Sequence, residues 1–480
     1  MLAVIDSLRP EMLERAIAAG RAPALATLVE RGSYVPDCVS TYPSVTPVAA
    51  GTITTGLGPD GHHIPAMNWY HRGEERYVEY GSSLPATRAF GVVRSLFDTV
   101  YNLNMAHLSR ACPTIFERLE DAGIRTACTT YLVYRGRTRH EPEEGGMYSR
   151  LARYAQFRHA VWGPTELFYA DLFDSRGTGC RSLLGMPGQR DQHAACVAAH
   201  LVANDLFDFL LLSLPDTDTH SHRHGPEAQV AAIAHADRAL DRMMHEGGGA
   251  EAFLEHHAVI VLSDHAQTPV ERRIDLLAAL DGERVLAPGE NGSRGAEIAL
   301  CPSQRSAMVY LLDRAGGDKL ARRVRREVER APGVDLVVRR EGGEAVVATP
   351  RGELRFAPGG ELEDRRGERW SVTGELAALE LSVADGRVAS AAYPHALGRL
   401  WSALSCPHAG DLLISAAAGY EFVDWGGVDH VGGGSHGSLL REDSLGALIM
   451  CGAGPAAEAR DQWTLEDVTP LVLDHFSVGS

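Results

Sequence analysis

Two clusters of aspartate and histidine follow directly on apolar runs in the chain. Residues 207–214 (FDFLLLSL) read as a buried strand and lead into PDTDTHSHRHGP, where Asp218 and His222 are four residues apart. A second apolar run, AVIVL, leads into Asp264 and His265. Parallel strands that are covered on both faces read as continuous apolar runs, and their carboxyl ends meet at one edge of a sheet. Carboxylates and imidazoles together suit zinc, so we expect a metal site at this edge.

Two further candidates lie far from these clusters in sequence. Asp6 follows the apolar run Leu2–Ile5, at the end of a predicted first strand, although an aspartate there can equally cap a turn. His436 lies within VGGGSHGS, where glycine lets the backbone bend closely round a site. A single aspartate or histidine is commonly a capping or ion-paired residue. The joint occurrence of these residues at predicted strand ends is hard to explain by packing.

Thr46 and Pro47 add a hydroxyl to the set. Proline is favoured at the first position of a helix and threonine just before it as N-cap, so the pair predicts a helix of about ten residues that ends near Gly56. The amide groups and dipole at such a helix N-terminus favour a phosphoryl group or the alkoxide that attacks one. Taken alone, the pair is explained by helix capping. The metal-type residues elsewhere give it a chemical interpretation.

Composition limits the class of partner. The chain has 480 residues, of which 45% are hydrophobic and 23% charged, and a formal net charge of −17. Nucleic-acid polymers and anionic membranes favour basic surfaces, so we expect neither as a partner. Small anionic substrates remain compatible with this charge if metal ions supply the positive charge.

The cysteines and the hydropathy pattern predict the compartment. The eight cysteines are scattered with no CxxC pair, so we expect most of them to be small buried residues in a reducing environment. No apolar run approaches the roughly 18 residues of a membrane span, and no charged and apolar leader precedes the first strand. We therefore expect a cytoplasmic protein.

The order of predicted elements indicates an α/β fold. Buried strands alternate with helices over residues 1–300, which we interpret as the first part of a catalytic core. Residues 301–393 change in character, with a charged helix, short strands and glycine-rich turns, and predict a small α+β insertion that is low in metal ligands. The core resumes near residues 412–416, within a last part that spans residues 394–480.

The motifs resemble those of the alkaline phosphatase superfamily, and most closely its type I phosphodiesterase and nucleotide pyrophosphatase branch. The stretch YPSVTPVAAGTITTGLGPDGHHI follows the branch pattern YPTxT…TGxxPxxHGI without a gap. SDHA resembles the family's SDHG, and Asp218 and His222 before Gly225-Pro226 resemble its DxxGHxxGP. The resemblance implies a central, mostly parallel sheet flanked by helices, and it does not extend over the insertion.

The resemblance also implies a role for each candidate. It implies two divalent ions, which we expect to be zinc. The first would be bound by Asp6, Asp264 and His265 together with the Thr46 hydroxyl. The second would be bound by Asp218, His222 and His436. Thr46 would attack phosphorus, and water would then hydrolyse the phospho-threonine intermediate. The implied activity is hydrolysis of a phosphodiester or phosphoanhydride in a small molecule, with nucleotides among the candidates.

The sequence departs from the branch pattern at the expected phosphate contacts. Pro47 has no N–H group, Ala49 stands where the branch has asparagine, and His63 stands where it has glycine. Asn68, His63 or an arginine from elsewhere are the candidates to replace the missing donors. For His62 we expect a structural role, and for His220 and His224 a position on a surface loop.

Asn68, Trp69 and Tyr70 are the predicted substrate-binding residues. The two rings could stack on a nucleobase, although buried aromatic residues are the commoner explanation. The alternative functions are a phosphomonoesterase or phosphonate hydrolase with the same metals, a phosphotransferase with an acceptor pocket in the insertion, and a noncatalytic metal-binding module. A sulfatase is disfavoured, because Thr46-Pro47-Val48 lacks the cysteine or serine which that chemistry modifies.

Overall fold

The computed structural model describes residues 1–142, 159–182, 185–290, 292, 295–313 and 317–479. Its strands, numbered in chain order, are β1 (Leu2–Ile5), β2 (Ser33–Val39), β3 (Asn68–His71), β4 (Arg76–Glu79), β5 (Thr126–Cys128), β6 (Thr138–His140), β7 (Val161–Gly163), β8 (Glu166–Tyr169), β9 (Phe173–Asp174), β10 (Phe209–Leu214), β11 (Val259–Leu262), β12 (Thr268–Pro269), β13 (Arg272–Ile274), β14 (Ile298–Ser303), β15 (Ser306–Leu311), β16 (Val334–Glu341), β17 (Glu344–Thr349), β18 (Gly352–Glu363), β19 (Arg369–Gly374), β20 (Leu381–Ala384), β21 (Arg387–Ser390), β22 (Leu412–Ala416), β23 (Tyr420–Phe422), β24 (Gly434–Ser435) and β25 (Leu445–Cys451).

The α-helices are α1 (Pro10–Ala18), α2 (Pro23–Arg31), α3 (Thr46–Thr55), α4 (Pro59–His62), α5 (Leu84–Phe90), α6 (Val92–Phe97), α7 (Ile115–Asp121), α8 (Arg190–Ala203), α9 (Asp216–His224), α10 (Gln229–Glu246), α11 (Ala250–His256), α12 (Leu276–Ala279), α13 (Gly317–Arg330), α14 (Ala396–Ser405), α15 (Arg441–Ser444) and α16 (Val468–His475). A π-helix spans Asp98–His107, and short 3₁₀ helices span Pro226–Ala228, Leu376–Leu379, Ala457–Ala459 and Leu465–Asp467.

The central sheet has eight strands in the order β2-β25-β11-β1-β10-β5-β8-β9. Strand β1 pairs in parallel with β10 on one side and β11 on the other, and β5 and β8 continue the parallel core. At one edge β25 is antiparallel to both of its neighbours, β11 and β2, and at the other edge β9 is antiparallel to β8. This is the mostly parallel α/β sheet that the sequence predicts.

The apolar strands form this sheet because both of its faces are covered. Every residue of β1, β10 and β11 is buried. Along β1, Leu2 and Val4 join one hydrophobic cluster, whereas Ala3 and Ile5 join a second cluster on the opposite face. The aspartates and histidines of the sequence lie just beyond the ends of these three strands.

A second sheet of nine strands follows the order β14-β15-β22-β16-β17-β18-β21-β20, with β19 paired to β18. It extends from Ile298 to Ala416 and so reaches beyond both ends of the predicted insertion, residues 301–393. Residues 412–416, where the core was expected to resume, form β22 between β15 and β16 of this second sheet. A short apolar strand fits either sheet by pattern alone, which is why the sequence misplaces it.

Two expectations about cysteines and membranes can be compared with the fold. Six cysteines are free and buried, as expected, but Cys180 and Cys196 form a disulfide across 16 residues of sequence. The expectation is therefore wrong for this pair, because spacing alone does not reveal which distant cysteines meet. Over the described ranges, the helices are too short or too polar to cross a bilayer.

A buried ion pair ties the second sheet to the loop that carries His436. Arg305 and Asp443 are both fully buried, and the Arg305 Nη1 lies 2.5 Å from Asp443 Oδ1. The Arg305 backbone N–H donates to the His436 carbonyl over 2.9 Å, and Asp443 Oδ2 accepts from the Ser438 N–H over 2.9 Å. The pair therefore fixes the chain at His436 and at Ser438, two residues beyond it.

We predict that Arg305→Met lowers the free energy of unfolding by about 3–5 kcal/mol, because it leaves the Asp443 carboxylate buried without its charged partner. Denaturant unfolding measures the loss. The matched control is Arg322→Met, which removes an exposed i,i+4 pair with Asp318 and should cost less than about 0.5 kcal/mol. Equal losses in the two variants would contradict a structural role for the buried pair.

Candidate metal centre and nucleophile

The carboxyl ends of three adjacent parallel strands bring four of the predicted residues together. Asp6 follows β1 directly, and its N–H extends the ladder to the Leu214 carbonyl of β10 over 3.1 Å. Helix α9 begins immediately after β10 and carries Asp218 in its first turn. Asp264 and His265 follow β11. The topology thus converts four positions that are distant in sequence into neighbours at one sheet edge.

His436 and Thr46 reach the same edge from other elements. Strands β12 and β24 form a two-stranded ribbon in which Thr268 faces Ser435, so the residue after β24 returns beside the residues after β11. Thr46 is the first residue of α3, with Val45 as N-cap, and Gly56 closes the helix in a left-handed conformation with φ 72°. The helix extends as predicted, but the cap lies one residue earlier than the sequence indicates.

His265 is the centre of the first ligand group. Its Nε2 lies 3.2 Å from Thr46 Oγ1, 3.5 Å from Asp6 Oδ1 and 3.4 Å from Asp264 Oδ2. The other oxygen of Asp264 accepts the N–H groups of Ser7 and His265 over 3.1 and 3.0 Å. The Asp264 carboxylate is thereby fixed by the backbone, with its second oxygen directed at the cluster.

Asp218 is the centre of the second group. Its Oδ2 lies 3.3 Å from His222 Nε2, and its Oδ1 lies 3.6 Å from His436 Nε2. His222 is one helical turn beyond Asp218, so α9 presents both side chains on one face. The Gln267 side-chain amide donates to Asp218 Oδ1 and to its carbonyl, which fixes the carboxylate from the side of β12.

The three histidines are oriented in the same way. Each ring places Nδ1 against a main-chain carbonyl, which only an N–H can satisfy, so Nε2 carries the free lone pair that faces the carboxylates. These bonds are His222 to Gly434 over 2.8 Å, His265 to Ala266 over 3.2 Å and His436 to Ser44 over 2.8 Å. This is the arrangement by which proteins prepare histidine to bind a metal ion.

The charges at the site are unbalanced in a way that favours a cation. Burial, followed by the charges of Asp264 and Asp218, raises the pKa of Asp6 well above its usual range. Burial also holds the pKa of His436 well below its usual range, and the adjacent His265 adds to this effect. Burial works against ionised Asp218, but the imidazoles of His222, His436 and His265 together outweigh it and lower the pKa of the carboxyl.

The side chains fit the divalent ions that the family resemblance implies. Asp6 Oδ1 and Asp264 Oδ2 are buried oxygens without a hydrogen-bond partner, which is costly unless a cation binds there. Two sets of side chains each have ligand atoms that all lie within 4.8 Å of one another, and Asp218 belongs to both. The sets are Asp218, His222 and His436, and Asp6, Asp218 and His265. Imidazole and carboxylate donors are those that zinc prefers.

The three predicted substrate-binding side chains are buried. Asn68 and Trp69 are fully buried and Tyr70 is 2% exposed. The Asn68 amide donates to the Pro302 carbonyl, Trp69 packs on the His408 ring with centroids 4.7 Å apart, and Tyr70 packs on Tyr77 and Tyr310. These three side chains are core residues, which corrects the expectation that the two rings offer a stacking surface.

The structure also places four histidines that are not ligand candidates. His62 is buried and its Nε2 lies 3.2 Å from Thr52 Oγ1, which is the structural role expected for it. His63 adopts φ 71°, a left-handed conformation that explains why the family pattern has glycine there. His220 and His224 lie on α9, with rings 4.6 Å apart, rather than on a loop.

Tyr131 is a polar residue that the sequence analysis does not single out. It lies three residues beyond β5, at the same edge of the sheet, and its buried hydroxyl has no hydrogen-bond partner. Burial raises the pKa of Tyr131, and the charges of Asp264 and Asp6 raise it further, so the hydroxyl lies within electrostatic reach of the first ligand group. A tyrosine after a short strand carries no signal of this role by itself.

His430 and Glu421 form a second unpredicted feature. The His430 ring lies on the His222 ring with centroids 4.2 Å apart, and its Nδ1 is 2.7 Å from Glu421 Oε1. Glu421 is buried and also accepts from the Ser435 hydroxyl over 2.6 Å. This pair supports the outer side of the second ligand group.

The start of α3 offers little to an anion besides the Thr46 hydroxyl. Pro47 has no N–H, and the amides of Val48 and Ala49 both donate to the Val45 carbonyl, over 3.0 and 3.1 Å. Positions 47–49 of the helix therefore offer no free amide to a phosphoryl group. Positive charge and donors for a phosphoryl group have to come from the ligand groups and their surroundings.

Comparison with solved structures places this architecture among known ones. Human ectonucleotide pyrophosphatase/phosphodiesterase 5 is 13% identical, with a TM-score of 0.59 over 100% of this chain and 95% of that chain. Phosphonoacetate hydrolase from Sinorhizobium meliloti 1021, in complex with phosphonoformate, is 18% identical, with a TM-score of 0.58 over 98% and 93%. An inactive variant of the murine phosphodiesterase 5, in complex with AMP, is 13% identical, with a TM-score of 0.57 over 100% and 94%.

The sheet and its flanking helices thus define an alkaline-phosphatase-like hydrolase fold, as the sequence predicts. No protein of curated function matches the sequence. The sequence profile of the type I phosphodiesterase/nucleotide pyrophosphatase family matches residues 2–439. The chain belongs to this family and is a phosphodiesterase/nucleotide pyrophosphatase-like hydrolase of a metal-dependent class.

We predict that Asp218→Asn reduces bound zinc more than His222→Ala does, because the Asp218 carboxylate lies within 4.8 Å of ligand atoms from both groups, Asp6 and His265 on one side and His222 and His436 on the other, whereas His222 belongs to the second group alone. Equilibrium dialysis against Zn²⁺ followed by elemental analysis measures this. Asp216→Asn is the matched control on the same helix, since Asp216 pairs with Arg190 over 3.0 Å, and we expect it to retain the wild-type zinc content. Equal zinc content in Asp218→Asn and His222→Ala would contradict a shared carboxylate.

Proposed function

We propose that the protein hydrolyses a phosphodiester or phosphoanhydride bond in a small molecule, with Thr46 as nucleophile beside two zinc ions. The observation that carries the proposal is the 3.2 Å contact between Thr46 Oγ1 and His265 Nε2, at the point where the two ligand groups meet. A noncatalytic metal-binding module needs no hydroxyl at this position. The proposal therefore assigns the first zinc to Asp6, Asp264 and His265, and the second to Asp218, His222 and His436.

The chain's own residues account for the covalent step. Thr46 Oγ1 forms a bond to phosphorus as the bond from phosphorus to the leaving oxygen breaks, and the phospho-threonine so formed keeps the remaining ester group. Water then attacks the same phosphorus and releases Thr46 with a phosphate monoester. When bound, the two ions would lower the pKa of the hydroxyl and stabilise the charge on the leaving and nonbridging oxygens.

Burial and orientation prepare Thr46 for this attack. Pro47, Val48 and Ala49 behind it are buried, so α3 is anchored in the core. The Ser44 carbonyl accepts from His436 Nδ1 over 2.8 Å, and the Ser44 hydroxyl donates to the Ser438 carbonyl over 2.9 Å. The chain before the nucleophile is thus tied to the loop that carries a ligand of the second group, which fixes the hydroxyl relative to both groups.

Tyr131 is our candidate for a phosphate-oxygen donor. The expected donors at Pro47 and Ala49 are absent, and Asn68 is engaged with the Pro302 carbonyl. The Tyr131 hydroxyl is buried at the sheet edge without a partner, which is the state of a donor that awaits a ligand oxygen. A hydrogen bond from it to a nonbridging oxygen would strengthen as charge develops in the transition state.

The relatives support a small substrate. The murine phosphodiesterase 5 structure contains AMP, and the Sinorhizobium enzyme is a phosphonoacetate hydrolase. AMP and phosphonoacetate are both small phosphorus compounds. The net charge of −17 on this chain disfavours a polyanionic polymer as substrate. We therefore propose a small phosphate ester, with nucleotides among the substrates to be tested first.

We expect the zinc-loaded protein to hydrolyse a chromogenic phosphodiester faster than the matching monoester. Thr46→Ala should lower this turnover by about 10³-fold or more while it retains bound zinc, because the aspartate and histidine ligands of both groups remain. Thr55→Ala is the control on the same helix, since its hydroxyl makes only local bonds at the far end of α3, to the Gly51 carbonyl over 2.7 Å and from the Leu57 N–H over 3.3 Å. Preference for the monoester would favour a phosphomonoesterase, and unchanged turnover in Thr46→Ala would contradict the proposed nucleophile.

Tyr131→Phe should lower kcat/KM for the diester by about 10- to 100-fold, the range expected for one hydrogen bond to a charged group. Steady-state kinetics measures this effect. The control is Tyr134→Phe, which removes a buried hydroxyl that donates to the Val100 carbonyl, and it should leave kcat/KM near the wild-type value. Equal kinetics in wild type and Tyr131→Phe would show that the hydroxyl does not contact the substrate.

A further inference from the structure

A third group of metal-type ligands lies where the second sheet meets α14, apart from the centre described above. Asp364 and Glu368 lie in the turn between β18 and β19, and His395 is the N-cap residue of α14. Their ligand atoms lie within 4.8 Å of one another. Asp364 and Glu368 lie in residues 301–393, the segment for which the sequence predicts few metal ligands.

The backbone and a tryptophan fix the Asp364 carboxylate in this group. Asp364 Oδ1 accepts the N–H groups of Arg366 and Glu368 over 2.8 and 3.0 Å. Its Oδ2 accepts from Trp370 Nε1 over 2.9 Å and lies 3.5 Å from His395 Nδ1. One oxygen is therefore used to form the turn, and the other faces the imidazole.

His395 is the member of the group that points to a ligand. Its side chain is only 6% exposed, yet Nδ1 has no hydrogen-bond partner. Burial of an imidazole nitrogen without a partner is unfavourable, and a bound cation would offset this cost. The residue also adopts φ 50°, a left-handed conformation that is uncommon for histidine and that directs the ring toward Asp364 and Glu368.

There is room for a ligand beside this group. A cavity of about 510 Å³ is lined by Glu368 and His395 together with residues that follow α3. A Cβ atom at Gly398 would lie 2.4 Å from His395 Nε2 and 3.0 Å from Glu368 Oε2. Glycine at this position therefore allows the imidazole and the carboxylate to approach each other against the helix.

The cavity is also acidic. Asp60 and Glu466 line it in addition to Glu368, whereas the Arg369 guanidinium is directed to Glu363, 3.7 Å away. The nearby Arg366 is engaged with Asp467 over 2.7 Å. The surroundings therefore attract a cation.

We propose that Asp364, Glu368 and His395 bind one divalent transition-metal ion of the zinc class. One imidazole and two carboxylates form a mixed nitrogen and oxygen donor set that suits Zn²⁺ better than Mg²⁺ or Ca²⁺, whose ligands are oxygens. The ion would join the β18–β19 turn to α14, and the shared cavity wall places it beside Gly56 and α4, just beyond the nucleophile helix. Its role is to hold the second sheet against the catalytic core.

The test is the zinc content of the full chain after equilibrium dialysis. Glu368→Gln and His395→Gln should each bind about one equivalent of Zn²⁺ fewer than wild type, since each removes one of three ligands. Glu368 is exposed, so its amide variant is expected to fold. The matched control is Glu361→Gln, an exposed carboxylate on the adjoining strand β18, which should retain the wild-type content.

A second measurement separates this site from the catalytic centre. His436→Ala should lose zinc from the second catalytic group, and the further change Glu368→Gln in that background should remove about one more equivalent. The thermal unfolding midpoint of wild type should rise over the last equivalent of added Zn²⁺, and that of Glu368→Gln should not. Wild-type zinc content in both Glu368→Gln and His395→Gln would overturn the proposal, whatever the outcome for hydrolysis.

Discussion

The orientation of three imidazole rings is the constraint on which the catalytic site depends. His222, His265 and His436 each place Nδ1 against a main-chain carbonyl, and this directs Nε2 toward the aspartates. The carbonyls of Gly434 and Ser44 are far in sequence from His222 and His436, so the orientation of these two rings requires the whole fold, whereas His265 is oriented by the adjacent Ala266. The same bonds tie the segment before Thr46 to the loop after β24, and the nucleophile and the metal ligands are therefore positioned together.

The buried carboxylates give this arrangement its chemical direction. Asp6 Oδ1 and Asp264 Oδ2 lack hydrogen-bond partners in the interior, a state that protein cores rarely tolerate. Bound cations would relieve their repulsion and would also supply the positive charge that phosphoryl transfer needs. An acidic chain can thus act on an anionic substrate, because its positive charge is local and its net charge still disfavours long polyanions.

The sequence predicts the parts of the structure that depend on local pattern and on strand ends. The strands that precede Asp6, Asp218 and Asp264 are continuous apolar runs, so their assignment and their parallel pairing follow from hydrophobicity. The sequence also places Thr46 at the start of its helix, although the N-cap is Val45. These residues bring the candidate site within reach of sequence reasoning because each stands next to an element with a clear signal.

Long-range pairing explains what the sequence does not predict. Residues 412–416 could pair with either sheet, Cys180 meets Cys196 only through tertiary structure, and Trp69 is enclosed by histidine rings from distant segments. Tyr131 and His395 are ordinary in sequence, and only the fold shows that their polar atoms are buried without partners. Their chemical interest depends on surroundings that no local pattern encodes.

The stereochemical course of the reaction at phosphorus tests the central claim most directly, that Thr46 is the nucleophile. A chiral phosphorothioate diester would be hydrolysed in ¹⁸O-labelled water by the zinc-loaded protein, and the configuration of the product determined. Attack by Thr46 followed by attack of water consists of two in-line displacements, so the account predicts retention of configuration. Inversion would mean that water attacks phosphorus directly, and it would contradict the account.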